Sequence, residues 1–429
     1  MINPKILATA IGTLLLLLGC SFAQQPKTMA SDPIVPSAQT LQTPEIADER
    51  LLEANAKFGL NLFRQLQQKD TGKNIFISPT SVANALSLLL QGTAGETQQE
   101  MLKALELRDM TLTDINRANQ TLHQLLENAD PSVRVAIANS IWMRQGVAFK
   151  PEFLQTNREY YNSEVSELDF SSADAAPRIN RWVSDKTNNK IDKMVDSIDP
   201  QQVLFLLNAI YFKGDWSQKF DRAQTQEKPF FLNREQTVKD SDRKASVPVA
   251  MMSQTGEYRY LENEQFQAVS LPYGKEGRMS FYVFLPKSNS SLESFYQQLT
   301  LVNWQTWMQR FSRRDGKIEL PRFKLEYETQ LKEVLETLGL KTIFDPNTAN
   351  FSKMTDASVV VDRVKHKSFV EVNEEGTEAA AATSIGIRVT SMPPPPFQMT
   401  VDRPFFFAIR DNRSGEVLFM GSMLEPPSP

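Results

Sequence analysis

The sequence predicts a mixed α+β domain, and three features carry that prediction. A helical period begins near Asp48, with Leu52, Phe58, Leu62, Phe63 and Leu66 on one face. Residues 203–213 are almost continuously apolar, as expected of a strand covered on both sides. Residues 402–407 and 417–421 then carry two more apolar strands. At 429 residues the chain is ample for a large core, and length alone would allow two or three domains. Hydrophobic content of 41% and charged content of 23% are ordinary for a soluble globular protein. A formal net charge of -4 without a basic stripe argues against a nucleic-acid partner.

The first residues read as an address. Lys5 precedes an apolar run over residues 6–18 that ends in Leu17-Leu18-Gly19-Cys20. A short apolar run with a basic flank marks a secretory signal rather than a spanning helix. Its ending resembles the bacterial lipobox, which implies a signal peptide over 1–19 and a lipidated Cys20 as first mature residue. Acyl chains there would tether the protein to the cell envelope. Ser21 behind the cysteine favours the outer membrane. A plain cleavable signal, with an extracellular product, is the alternative. Cys20 is the only cysteine, so no intramolecular disulfide is possible. Residues 20–47, rich in Gln, Pro, Ser and Thr, cannot bury a core and read as a flexible tether. The folded part is expected over 48–427.

Within that part, residues 74–81 (NIFISPTS) run as a short strand, broken by Pro79, into a helix carrying Val82, Leu86, Leu89 and Leu90. Gly92 ends it and Gly95-Glu96-Thr97 opens the next. Residues 134–143 alternate as a strand, and 179–183 (INRWV) belong to a helix leading into the 203–213 strand. Residues 279–286 form another strand; 331–338 form a helix closed by Gly339. Trp304 and Trp307 lie at helical spacing and read as core. Arg310, Arg313 and Arg314 read as a solvated basic face.

The stretch 374–391, EEGTEAAAATSIGIRVTS, has a period of two. One file is Thr377, Ala379, Ala381, Thr383, Ile385, Ile387 and Val389; the other is Glu378, Ala380, Ala382, Ser384, Gly386, Arg388 and Thr390. That is a strand with one buried and one wet face. Four consecutive alanines nonetheless favour a strand poorly. Pro393–Pro396 then forms a stiff segment that cannot donate to a ladder. A segment written as a strand yet able to wait as a loop suggests two conformations. By composition alone it equally describes an alanine-rich surface loop or short helix.

Nothing points to catalysis. Of the two histidines, His123 sits on a polar helical stretch and reads as solvated. No GxSxG elbow, HExxH pair, Walker loop or GxGxxG fingerprint occurs, so no catalytic residue, metal ligand or cofactor is expected.

NIFISPTSVANALSLLLQGTAGETQQEM, ANSIWM, NAIYFKGDWSQKF, LPRFK and DRPFFF, in this order and followed by the apolar strand near the end, resemble the serpins, as does the stretch from Glu374 to Thr383. The resemblance spans about 48–424 and implies one domain of three β-sheets surrounded by about eight or nine helices. It also implies an exposed reactive-centre loop at about 374–400. The implied activity is irreversible, suicide-substrate inhibition of serine proteases. The protease cleaves the loop, and the loop inserts into the central sheet while the acyl-enzyme persists. The expected partner is thus a serine protease held covalently, the inhibitor itself being a monomer.

The resemblance assigns roles residue by residue. Glu374, Glu375, Gly376, Thr377, Glu378, Ala379, Ala380, Ala381, Ala382 and Thr383 match the hinge. Ser78, Ser81, Asn208 and His366 match the polar cluster, or shutter, beneath the strands that must part. Trp216 matches the tryptophan of the breach, where insertion starts. Counting from the hinge places the reactive bond at Thr390–Ser391, which suits elastase- or subtilisin-like proteases. Arg388–Val389 is the alternative, because the distal side of the loop is longer than usual. A non-inhibitory binding or chaperone serpin, and a cross-class inhibitor of cysteine proteases, are the rival readings.

Overall fold

The computed structural model describes residues 46–232, 246–377 and 395–427, apart from the side chains at 136–138, 205, 206 and 208. Helix α1 (Glu49–Lys69) starts where the Asp48 carboxylate accepts from Arg50 N, and it buries Leu51, Phe58, Leu62, Phe63 and Leu66. After β1 (Ile75–Ile77), Ser78 caps α2 (Pro79–Leu90) and Pro79 takes the first helical position, where no donor is needed. Buried along nearly its whole length, α2 is an internal helix. Next come α3 (Gly95–Ala104) and α4 (Leu112–Glu127), the latter opened by a Thr111–Asp114 capping box. The chain continues through β2 (Val133–Arg144), α5 (Pro151–Tyr161), β3 (Glu164–Leu168), α6 (Ala175–Lys186) and β4 (Leu204–Asp215). It then forms β5 (Gln226–Phe231), β6 (Ser246–Glu262), β7 (Phe266–Pro272) and β8 (Met279–Pro286). Helices α7 (Leu292–Gln298) and α8 (Leu301–Arg310) precede β9 (Ser312–Pro321), β10 (Phe323–Gln330) and α9 (Lys332–Thr337). Last are β11 (Lys365–Val372), β12 (Gly376–Thr377), β13 (Phe397–Thr400), β14 (Phe405–Asp411) and β15 (Val417–Met423).

This is the expected α+β architecture, with nine α-helices among the described residues. The strands form three ladders: one of nine strands, one of order β12-β4-β2-β3, and the pair β10-β11. In the largest, β14 and β15 pair side by side with β8 and β1 flanking them, and all but one of their residues are buried. Phe76, Phe281, Phe405, Phe406 and Phe407 knit that sheet to α1 and α2.

Strand β4 divides its side chains between two cores. Ile210 and Phe212 join the main core, whereas Leu207 and Ala209 belong to a second cluster with Ile179 and Val183 of α6. That strict alternation is the period-two geometry of a strand buried on both faces. Strands β4 and β11 lie alongside each other, yet no ladder joins them among the described residues. Apart from two residues at the end of β4 that pair with β12, each keeps its ladder for the outer neighbour, β2 and β10 respectively. The expectation for His123 fails. It lies on the inward stripe of α4 with Ile115, Asn119, Leu122 and Leu126, buried rather than solvated, with Nε2 3.2 Å from Glu127 Oε1. One turn of helix between the two makes that approach possible. Trp304 and Trp307 are core as read, while Arg314 is half-buried over the Tyr260 ring.

Candidate functional site

The chain leaves β11 and turns at once into the upper end of the gap between β4 and β11. Gly376 and Thr377 pair antiparallel with Asp215 and Gly214 at the end of β4. Gly376 has φ +139°, a backbone region suited to glycine, and a Cβ there would collide with the Gly214 carbonyl oxygen. A glycine is therefore required at this entry point on two counts.

Trp216 holds this corner. Its ring stacks on Tyr273 at 4.5 Å and 8°, with Phe220 and Phe281 edge-on. Its Nε1 donates to Asn373 O at 2.9 Å, and its backbone N donates to Glu375 O at 3.0 Å. Glu374, although the sequence writes it into a polar loop, is buried. Its Oε1 accepts from Thr225 Oγ1 at 2.8 Å and lies 3.7 Å from Arg322 Nη1. Glu375 pairs with Lys219 at 2.8 Å and Arg222 at 3.5 Å. The backbone N of Phe220 donates to Glu374 O at 2.9 Å. The first hinge residues are thus clasped by backbone bonds, one aromatic stack and three ion pairs. Sequence reading gave no role to Lys219, Arg222, Thr225, Arg322 and Asn373, although Lys219 and Arg322 fall inside the runs NAIYFKGDWSQKF and LPRFK, because these residues meet the hinge corner only through the fold.

Lower in the gap, Ser78, Ser81 and His366 come together. His366 projects from β11 on its buried file, and its Nε2 accepts from Ser78 N at 3.2 Å. An accepting Nε2 places the proton on Nδ1, the neutral tautomer. Complete burial pushes the imidazole down to about 4. Ser78 Oγ accepts from Ser81 N at 3.2 Å, capping α2. Ser81 Oγ is buried without a hydrogen-bond partner among the described residues. Asn208 stands on β4 opposite Asn139 of β2. Asn139 Nδ2 donates to Asn84 Oδ1 at 2.6 Å, and Tyr161 Oη donates to Asn116 Oδ1 at 2.8 Å. This second polar cluster was also missed. Its sequence signal is an asparagine, Asn84, set inside the apolar helix VANALSLLL, where helix propensity and burial both disfavour it.

Between α2 and the starts of β4 and β11 lies a cavity of about 50 Å³, lined by Val82, Leu86, Leu89, Leu204, Val361 and His366 among others. On the far side of the loop, β13 is anchored in parallel register to β9. Phe397 stacks on Tyr260 at 4.0 Å and covers Gly316, where a Cβ would strike the ring. Arg314 Nη2 donates to Pro395 O at 3.0 Å.

Glu378, Ala379, Ala380, Ala381, Ala382 and Thr383, the bonds Thr390–Ser391 and Arg388–Val389, and Cys20 lie outside the described residues, as do the signal and nearly all of the tether. Among the described residues no group of His, Cys, Asp and Glu is placed to hold a metal ion.

Comparison with known proteins bears on this arrangement. A family profile described as Serpin (serine protease inhibitor) matches residues 53–426. The leukocyte elastase inhibitor of Sus scrofa is 36% identical over 392 residues, covering 88% of this chain and all of that protein. Iripin-2 of Ixodes ricinus is 34% identical over 382 residues, covering 88% and 94%. Among solved structures, the native state of a thermophilic serpin, tengpin, superposes with a TM-score of 0.78 at 31% identity, covering 88% and 95%.

Proposed function

The chain belongs to the serpin family, and on that premise we propose that it is an irreversible suicide-substrate inhibitor of serine proteases. The observation that carries the reading is β12. The hinge has already begun a ladder with β4 on an edge that β11 leaves open. Continued at the register of Gly376↔Asp215 and Thr377↔Gly214, each further loop residue meets the next residue down β4, and Ile387 meets its first residue, Leu204. Residues directly opposite share a face. Ala379 and Ala381 would therefore follow Phe212 and Ile210 into the main core, and Ile387 would sit beside the cavity that Leu204 lines. The small residues enter first, opposite Phe212 and Ile210 of the main core. The branched ones arrive last, where space remains.

In this reading a protease attacks the carbonyl of Thr390 and forms the acyl-enzyme. Cleavage severs the tie to β13, and the freed strand inserts before water can deacylate the enzyme. Small Thr390 favours elastase- or subtilisin-like targets, and elastase inhibitors among the relatives support that preference. The catalytic groups all belong to the protease. We further read Cys20 as the lipid attachment point of a bacterial envelope protein.

The test mixes the purified protein with an elastase, a subtilisin and a trypsin, and follows products by denaturing gel and intact mass. A covalent adduct with cleavage after Thr390 is expected; cleavage after Arg388 would move the bond. Thr377→Arg should be cleaved as readily but form no adduct, because a long cation cannot enter at the first paired positions. Cleavage of the parent with all protease left active would sink the inhibitory reading.

A further inference from the structure

Glu416 lies between β14 and β15 and is buried at 3% exposure. Its Oε1 is 3.2 Å from Asn55 Nδ2 of α1 and 2.5 Å from Thr80 Oγ1 in the first turn of α2. The same Thr80 hydroxyl is 2.8 Å from the Val417 carbonyl oxygen. A threonine hydroxyl has one proton to donate, and a carbonyl oxygen can only accept. If the Thr80 proton goes to Val417, the short contact with Glu416 needs a proton from the carboxyl group. A carboxylate would leave two acceptors competing for one proton where solvent does not reach.

The surroundings favour the neutral acid. Among the described residues no cation is placed within ion-pair distance of Glu416. Asn55 of α1 and Thr80 of α2, the groups bonded to it, are uncharged. From β14, Asp411 and Arg410 act on it with opposite signs. Asp411 is itself engaged by Arg278 at 3.0 Å. Burial pushes the Glu416 carboxyl up to about 7, with Asp411 adding to it, against the bonds from Thr80 and Asn55 and the charge of Arg410.

The turn that Glu416 holds is also the one that meets the gap between β4 and β11. Two residues before Thr80, Ser78 caps α2 and donates its backbone N–H to His366 of β11. Strand β1, just before it, is paired to β15 through Ile77↔Met420. The first turn of α2 is therefore gripped by Glu416 and Val417 through Thr80 and by β11 through Ser78. We propose that Glu416 is a proton-operated latch on this turn, closed as the neutral acid and loosened as the carboxylate, and that it regulates how readily β11 parts from β4. The latch rests on the geometry around Thr80; its bearing on inhibition rests on the insertion reading above.

Glu416→Gln tests it, because the amide keeps the shape and, with the Asn55 amide turned to present its oxygen, donates to Thr80 at every pH. Melting temperatures of the purified parent and variant are compared from pH 4.5 to 8.5. A folded-state acid raised above its ordinary value lowers stability as pH rises from the unfolded value to the folded one, and no further above it. The variant's advantage should therefore widen by several degrees up to about pH 7 and then stay constant. His366 contributes to both proteins and cancels in the difference. Hydrogen exchange at the amides of residues 80–83, corrected for intrinsic rates, should quicken several-fold through pH 6–8 in the parent and stay level in the variant. A melting difference independent of pH, or equal exchange in both proteins, overturns the latch. With a trapped protease, the fraction of inhibitor cleaved without trapping should change between pH 6 and 8 in the parent alone; the same change in the variant would remove the latch from regulation. If neither protein traps any protease, the inhibitory reading falls while the melting curves still decide the latch.

Discussion

The gap between β4 and β11 is held at two heights by unlike chemistry. At the top, around Trp216, the clasp uses charge: Glu374 and Glu375 against Arg322, Lys219 and Arg222, with Lys219 and Glu375 partly open to water. Lower down, around Ser78 and His366, the contacts are neutral and wholly buried. Water can replace a partly exposed ion pair as it opens, so the top can release and re-form at small cost. The buried set has no such substitute, and a group left unpaired there costs about 1–3 kcal/mol. The difference teaches that the two ends answer to different variables, salt at the top and pH below.

The largest effect expected from breaking this contrast comes at the top. Trp216→Ala removes the stack on Tyr273 and one of the two hydrogen bonds that the Asn373 carbonyl accepts, the other coming from Gly376 N, so urea unfolding should show a loss of about 3–5 kcal/mol. A loss under 1 kcal/mol would mean that the aromatic corner is not what holds the hinge.

His366 should give the next effect. Its folded value lies below the ordinary one, so its contribution is whole above about pH 6.5 and fades as pH falls toward 4. The amplitude is on the order of 3 kcal/mol, and protonation also removes the acceptor for Ser78 N–H. Measured in the Glu416→Gln background, stability should fall across that window, and adding His366→Gln should flatten it. A retained slope would place the titration elsewhere.

The smallest effect sharpens the comparison. Lys219→Met should cost about 1 kcal/mol at low salt and nearly nothing at 1 M salt, where the Debye length is about 3 Å. The His366 effect should persist there. Equal salt sensitivity at both sites would erase the distinction.

Much of this architecture was legible before any coordinate. The helical stripe from Leu52 to Leu66, the cap and proline at 78–79, and the unbroken apolar run of β4 each carry their own period and punctuation. Ser78, Ser81 and His366 were readable as a set through family resemblance alone, since 285 positions separate Ser81 from His366. Strands β10 and β11 escaped notice because charges interrupt them: Glu326, Glu328, Lys365 and Lys367 are ion-paired across the ladder on its outer face. His123 was misjudged, and the burial of the hinge residue Glu374 went unread, for a related reason. A polar residue betrays its burial only when its partner is known.

By itself the sequence determined the helical stripe of α1, the start of α2 at Ser78 and Pro79, the apolar strand β4, and the order of small then branched residues in the loop. These follow from local backbone preference and side-chain period, which neighbours in the chain suffice to set. Only the tertiary structure decided that β4 keeps an open edge beside β11, that Glu374 is buried against Thr225, and that Glu416 shares Thr80 with the Val417 carbonyl. Burial and hydrogen-bond competition are properties of groups brought together from distant positions, and no local pattern records them.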